Sequence, residues 1–439
     1  MRSCSLLMIL AISLAVPTQA GDGDWPSFRG PAHTGVAANA DPPIEWGEDD
    51  NVRWKVQLEG TGHASPVVWG DRIYVMSAMK TDREVVAQPA AQAQRQGDRP
   101  PRVVPTHVHR FLVSAHSLKD GKPVWSTVVR EEIPHESLHS TASQASASPV
   151  TDGEHIWAFF GSRGLYCLDM DGKVVWTRDL GSQTTRNAFG EGASPAVHGD
   201  TIVVNWDHEG DSFIIALDKT TGEERWRNAR DEPTSWSSPL VVRDGDRDVV
   251  VVSATNKVRG YDLESGKELW WVSGLGINAI PTPIAGAETV WVMSGYRDPH
   301  GMAIGYKGAT GDLTGTDRVR WETNRGLSYV PSPVLVEGRI FFFQRFTGIL
   351  SCYVLSSGKP CYDQQRIEDY ENIYASPVAA GDRVYSISRD GAAVVFRASG
   401  DFEILARNEL DDVFNATPAV VGDSLILRGD RYLYRIAAD

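Results

Sequence analysis

Short apolar runs separated by Gly- and Asp-bearing turns fill this chain, and they return in a fixed order. One unit shows the order whole: Ser194-Pro195-Ala196-Val197, the turn Gly199-Asp200, the run Thr201 to Val204, the run Phe213 to Leu217, the turn Asp218 to Gly222, and Trp226. Gly and Asp tolerate the positive φ of tight hairpins, so each unit predicts four consecutive strands. The opening Ser/Thr-Pro pair recurs with its proline at 66, 149, 195, 239, 283, 333, 377 and 418. The first step is 83 residues and the others run from 41 to 50, the period of a four-stranded propeller blade. The excess in the first step is an insertion from about Met79 to Pro105, rich in Gln, Ala, Pro and Arg, expected as a flexible loop.

A large ring recurs in the fourth strand as Trp125, Trp176, Trp226, Trp270 and Trp321, with Tyr362 in the sixth unit. Such a ring packs one blade against the next. The eighth unit stops at Ala437 without a fourth strand, while an orphan Trp54 strand, Val52 to Leu58, precedes the first Ser-Pro. The N-terminal strand is therefore expected to complete the last blade and remove the open edges. The prediction is an all-β, eight-bladed propeller of four-stranded blades over residues 51–439, preceded by an extension at 21–50.

Composition agrees with a packed fold: 41% of residues are hydrophobic and 14 are Trp. The net charge of −14 argues against a nucleic-acid partner or an anionic membrane surface. Arg2, the apolar run Leu6 to Val16 and the small-residue end Thr18-Gln19-Ala20 read as a signal peptide over 1–20, which predicts a periplasmic or extracellular protein. No later run is long enough for a transmembrane anchor. Cys4 leaves with the leader. Cys352 and Cys361 flank the Ser357-Gly358 turn, close enough to face each other as a disulfide or as two thiols, and Cys167 lies in the run Leu165 to Leu168 as a small buried hydrophobe.

The spacing Asp-x-x-[Thr/Ser]-Gly-x-x-x-Trp, intact at Asp218 to Trp226 and Asp262 to Trp270, resembles the pyrroloquinoline quinone (PQQ) repeat of quinoprotein-like propellers over nearly all of the mature chain. The opening Trp25-Pro26-Ser27-Phe28-Arg29-Gly30-Pro31 is similar to the start of secreted bacterial propellers of that type. The resemblance implies a scaffold shared by PQQ-dependent alcohol dehydrogenases and by the propeller of the outer-membrane β-barrel assembly machinery, and a scaffold does not name an activity. In the dehydrogenases it implies PQQ and calcium in the central funnel beside a disulfide between adjacent cysteines. This chain has no adjacent cysteine pair, and no calcium-ligand set aligns. The reading is an exported binding or scaffold module for a protein, peptide or glycan; the alternative is a PQQ-dependent oxidoreductase with a divalent cation.

Strand order puts the loop before each Ser/Thr-Pro and the loop between strands two and three on one face, where irregular polar loops gather. There Asp207, His208, Glu209 and Asp211 have the chemistry to ligate a divalent cation, but their spacing matches no standard metal motif and capping of backbone N–H groups is the favoured reading. Arg186, Asn187 and Glu191 add a cation, an amide and an acid. His139, with His135, Glu136 and Thr141 nearby, is a candidate base or metal ligand. His107 and His109 share a strand face without an evident third ligand. Trp236, Asn278, Tyr329, Asn372 and Asn415 stand a few residues before their Ser/Thr-Pro and suit either sugar or peptide recognition or plain loop closure.

Overall fold

The computed structural model describes residues 21, 23–85 and 105–438. The expected signal peptide with Cys4, and most of the expected insertion, lie outside the described residues. Eight antiparallel sheets form the ring, each of four strands, two of them extended by one further short strand. The third blade is typical: Ala196–His198, Thr201–Trp206, Phe213–Asp218 and Glu224–Ala229 pair in sequence order. Its two central strands are buried almost throughout, whereas the outer strand alternates between exposed and half-buried positions, as a strand facing solvent on one side must. The strand Val52–Gln57 pairs antiparallel with Tyr432–Ala437 and closes the eighth blade as expected.

The repeat motif is a clip between blades. The Trp226 indole N–H donates to the Leu263 carbonyl of the next blade at 2.8 Å, and its ring lies on Gly266. Trp54, Trp125, Trp176 and Trp321 do the same to Leu118, Met170, Lys219 and Leu355. The turn glycine is required twice over at Gly222: its φ is +69°, and a Cβ there would come within 2.7 Å of the Trp176 ring. Trp270 departs from this pattern. It is fully buried and packs over Gly260 of its own blade, while the short strand Gly311–Asp312 pairs with its strand from outside.

One expectation changes and one open choice is decided. The second and third strands of the first blade, Arg72–Glu84 and His107–Ser117, remain paired out to Glu84 opposite His107, so ordered chain extends past Met79. Cys352 and Cys361 are free thiols. A bulge sets Cys352 opposite Tyr362 and Tyr353 opposite Pro360, which leaves Cys361 unopposed, so of the two arrangements open to this hairpin the structure has the pair of thiols. Cys167 is buried as expected, and burial pushes its thiol up to about 12.

The stretch expected as an extension is built into the ring. Trp25 pairs with Val68 of the first blade, and the Pro26 carbonyl accepts from Thr151 of the second. The chain then crosses the ring: the Gly35 carbonyl accepts from Ala379, and Val36–Ala37 pairs in parallel with Val378–Ala380 of the seventh blade. Between these anchors the buried Arg29 guanidinium donates to the carbonyls of Pro333 (2.6 Å) and Pro377 (3.0 Å), inside the channel.

Candidate functional site

The hydroxyls of the eight Ser/Thr-Pro motifs line one central cavity of about 440 Å³. They also tie the ring. The backbone N–H of Ser65 donates to the hydroxyl of Ser148, Ser148 to Ser194, and Ser194 to Ser238, each at 2.9 Å. Thr282 to Ser332, Ser332 to Ser376, Ser376 to Thr417 and Thr417 to Ser65 continue the belt at 2.8 to 3.0 Å. The missing step is spanned by the Ser237 hydroxyl, which donates to the Pro281 carbonyl. Each belt hydroxyl thus accepts one bond from protein, and among the described residues none of the seven donates one.

Phe28 forms the floor. It touches the cavity above and a second cavity of about 20 Å³ below, which also reaches Arg29 and His33. The segment crossing the ring therefore turns a channel into a funnel with one mouth. Burial lowers Arg29 to about 9 and His33 to about 4, so at neutral pH Arg29 is a cation and His33 is neutral. Arg29 has no carboxylate partner among the described residues.

The funnel wall follows a register rule. The residue two before each motif Ser/Thr lines the cavity in all eight blades; Trp236, His63, Tyr374 and Asn415 are its large or polar members. Alternate residues of an extended segment share a face, so a hydroxyl turned to the channel brings the side chain two positions earlier with it. Rings form an arc along the fifth to seventh blades. Tyr296 stacks on Tyr329 (4.8 Å between centroids, 22° between planes) and Phe346 on Tyr374 (5.9 Å, 18°). On the opposite wall Phe189 lies 6.5 Å from Trp236, whose indole N–H donates to the Gly190 carbonyl at 2.7 Å.

The expected residues divide sharply. His139, Glu191, Trp236, Tyr329 and Asn415 line the cavity. His139 shares its Nδ1 with the Thr141 hydroxyl at 2.8 Å and meets Phe189 edge-on. Asn415 accepts from Arg389 at 2.8 Å and lies 3.2 Å from the His63 ring nitrogen. Asn278 and Asn372 do not line the cavity: both hold a left-handed φ, near +60°, and their amides donate to the Tyr329 hydroxyl and the Asp390 carboxylate. Arg186 pairs with Glu209 at 3.4 Å, and Asn187 occupies a left-handed turn beside it. Phe28, His63, Phe189, Tyr296, Phe346 and Tyr374 are additions; the offset of two would have found His63 and Tyr374 in the sequence.

The loop read as a cation site or as caps for backbone N–H groups spends these side chains on protein partners. The Asp207 carboxylate takes two bonds from Arg230, at 2.7 and 3.1 Å, and a third from the Ser235 hydroxyl, with both charged side chains fully buried. His208 accepts from Thr184 N–H and points its other nitrogen at the Asp211 carbonyl; Glu209 accepts from Thr234. The side chains of Asp207, His208 and Glu209 go to separate partners rather than converging on one point. Among the described residues the group that does converge is Asp152, Glu154 and His155, outside the cavity lining, and Asp152 there pairs with Lys219 at 2.9 Å.

Glu191 is the single acid among the cavity-lining residues. Its carboxylate accepts from the Ser162 N–H (2.5 Å) and hydroxyl (2.6 Å), and burial raises it to about 7 despite those bonds. Gly161 makes room for it, since a Cβ there would overlap the carboxyl.

The family described as outer membrane protein assembly factor BamB matches residues 36–188 and 165–402, nearly the whole ring. The chain belongs to that family. Among solved structures it is similar to a europium-containing methanol dehydrogenase (12% identity, 93% of this chain and 90% of that one, TM-score 0.60). It is equally similar to the quinohemoprotein alcohol dehydrogenase from Comamonas testosteroni (12%, 96% and 82%, TM-score 0.60). BamB from Moraxella catarrhalis aligns at 13% identity over 87% and 95%, with a TM-score of 0.40. The first two likenesses show the fold alone. No curated protein matches.

Proposed function

We propose that this BamB-family chain is an exported propeller that captures a ligand in its closed funnel without cofactor chemistry. The observation that carries this is the lining: a floor ring, an aromatic arc and a belt of donor hydroxyls around a cavity of about 440 Å³, within the range of small-ligand sites. A calcium ion takes six to eight oxygen ligands, and the lining supplies one carboxylate, already bonded to Ser162. The chain has no adjacent cysteines to lie beside a quinone. These residues do not fit a calcium and PQQ pair, so no redox step is derived. Among the described residues no helix is long and apolar enough to cross a membrane. The apolar leader over 1–20 supports export.

The test is equilibrium dialysis of the full chain against PQQ with calcium, followed by an alcohol-oxidation assay with an artificial electron acceptor. The proposal expects neither retained quinone nor turnover. Turnover that requires both PQQ and calcium overturns it.

A further inference from the structure

The ligand chemistry of the funnel can be narrowed, on the footing that the funnel is a binding site. Four observations bear on it. First, the seven belt hydroxyls each accept an N–H and keep a proton without a protein acceptor, so the bottom of the cavity offers donors. Second, Arg29 lies beneath that belt, bonded to two carbonyls and set over the Phe28 ring, with no carboxylate partner among the described residues. A buried cation facing no carboxylate sets a positive potential that water does not screen. Third, Arg297, Arg345 and Arg389 flank the rings of the aromatic arc without lining the cavity, none in an ion pair among the described residues, with Asp430 within electrostatic reach of Arg389. Arg297 sits 5.4 Å from the Tyr296 ring centre and Arg389 5.0 Å from that of Tyr374. Arg345 is exposed between Tyr329, whose N–H bonds its carbonyl, and Phe346. Fourth, the molecule as a whole is acidic, at −14, so a group of arginines beside these rings runs against its average.

A donor belt over a cation selects an acceptor-only group, and a carboxylate is one. A peptide backbone brings as many donors as acceptors and would leave N–H groups unmatched against the belt. Stacked Tyr and Phe faces suit a ring with a flat C–H face. His63, His139 and Asn415 on the wall both donate and accept, as ring hydroxyls need. We propose that the funnel takes a uronate-bearing saccharide, its sugar rings against the Tyr296 to Tyr374 arc and a carboxylate at the Ser/Thr belt above Arg29.

Calorimetric titration of the full chain with three probes tests this: an oligoglucuronate, an oligoglucose of the same length, and 4-hydroxybenzoate. The oligoglucuronate is expected to bind at least tenfold more tightly than the oligoglucose at low salt, with the gap narrowing as ionic strength rises. Arg345→Gln, at an exposed side chain, should narrow that gap, and adding Arg389→Gln, whose half-buried guanidinium also holds Asn415, should narrow it further. Tyr329→Ala should weaken both sugars. Equal binding of the two sugars overturns the charge recognition, and binding of the benzoate alone overturns the saccharide. If no probe binds, the inference falls, while the binding role itself stands or falls on the separate PQQ and calcium assay.

Discussion

Glu191 shows how one side chain ties the wall to solvent conditions. Its carboxyl is raised from an ordinary 4.5 to about 7 by burial, so the folded state holds a proton that the unfolded chain has released. Stability from this group is full below about pH 4.5 and is lost as pH rises to about 7. Glu191→Gln, which keeps the shape without the charge, should flatten that decline; urea titrations of both proteins at pH 5 and pH 8 measure it. The Asp207–Arg230 pair has the opposite character. Burial works against the Arg230 charge, and the Asp207 carboxylate more than offsets this, holding the guanidinium above its usual range. Asp207→Asn strands a buried cation and should cost about 3 to 5 kcal/mol in chemical denaturation. Divalent cations should not protect the native protein through this loop. In the sequence, Asp, His and Glu within five residues looked like ligands, because sequence shows which groups are near but not that Arg230, 23 residues on, claims one of them. Trp236 and Asn415 were legible because they stand in the register that faces the axis. Asn278 and Asn372, two positions earlier, hold a left-handed φ and give their amides to Tyr329 and Asp390 instead of the cavity.

At the scale of elements, the Ser/Thr-Pro strand is both the period of the fold and the lining of its site. Its hydroxyl is fixed by one inter-blade bond and turned to the cavity, so one motif answers two demands. Ser332→Ala removes the acceptor of the buried Thr282 N–H and should cost about 1 to 3 kcal/mol. A fall in denaturant midpoint with an unchanged slope would register it as lost stability rather than a changed fold. The Trp clips were legible for the same reason as the belt, since both recur at a fixed spacing. Trp270 was misleading because the chain after the fifth blade's third strand takes a detour through Gly311–Asp312 before Val319–Thr323, displacing the turn its neighbours would clip.

For the whole molecule, closure by the N-terminal strand followed from counting strands, and the structure has it in place. The segment from Trp25 to Ala37 was not legible as a floor. Its partners in the sixth and seventh blades lie about 300 residues away, as with Arg29 and Pro333, and no periodicity marks a stretch that occurs once. Yet that segment decides what the propeller offers: a blind funnel with a buried cation beneath its floor instead of an open channel. The most direct measurement is the thermal-unfolding midpoint of the full chain with the oligoglucuronate, with calcium alone, with PQQ alone, and with PQQ and calcium together. A ligand at a hundred times its dissociation constant adds about 2.7 kcal/mol. A midpoint raised by the saccharide and unmoved by PQQ with calcium is the predicted result; a midpoint that rises only when PQQ and calcium are both present would contradict the account.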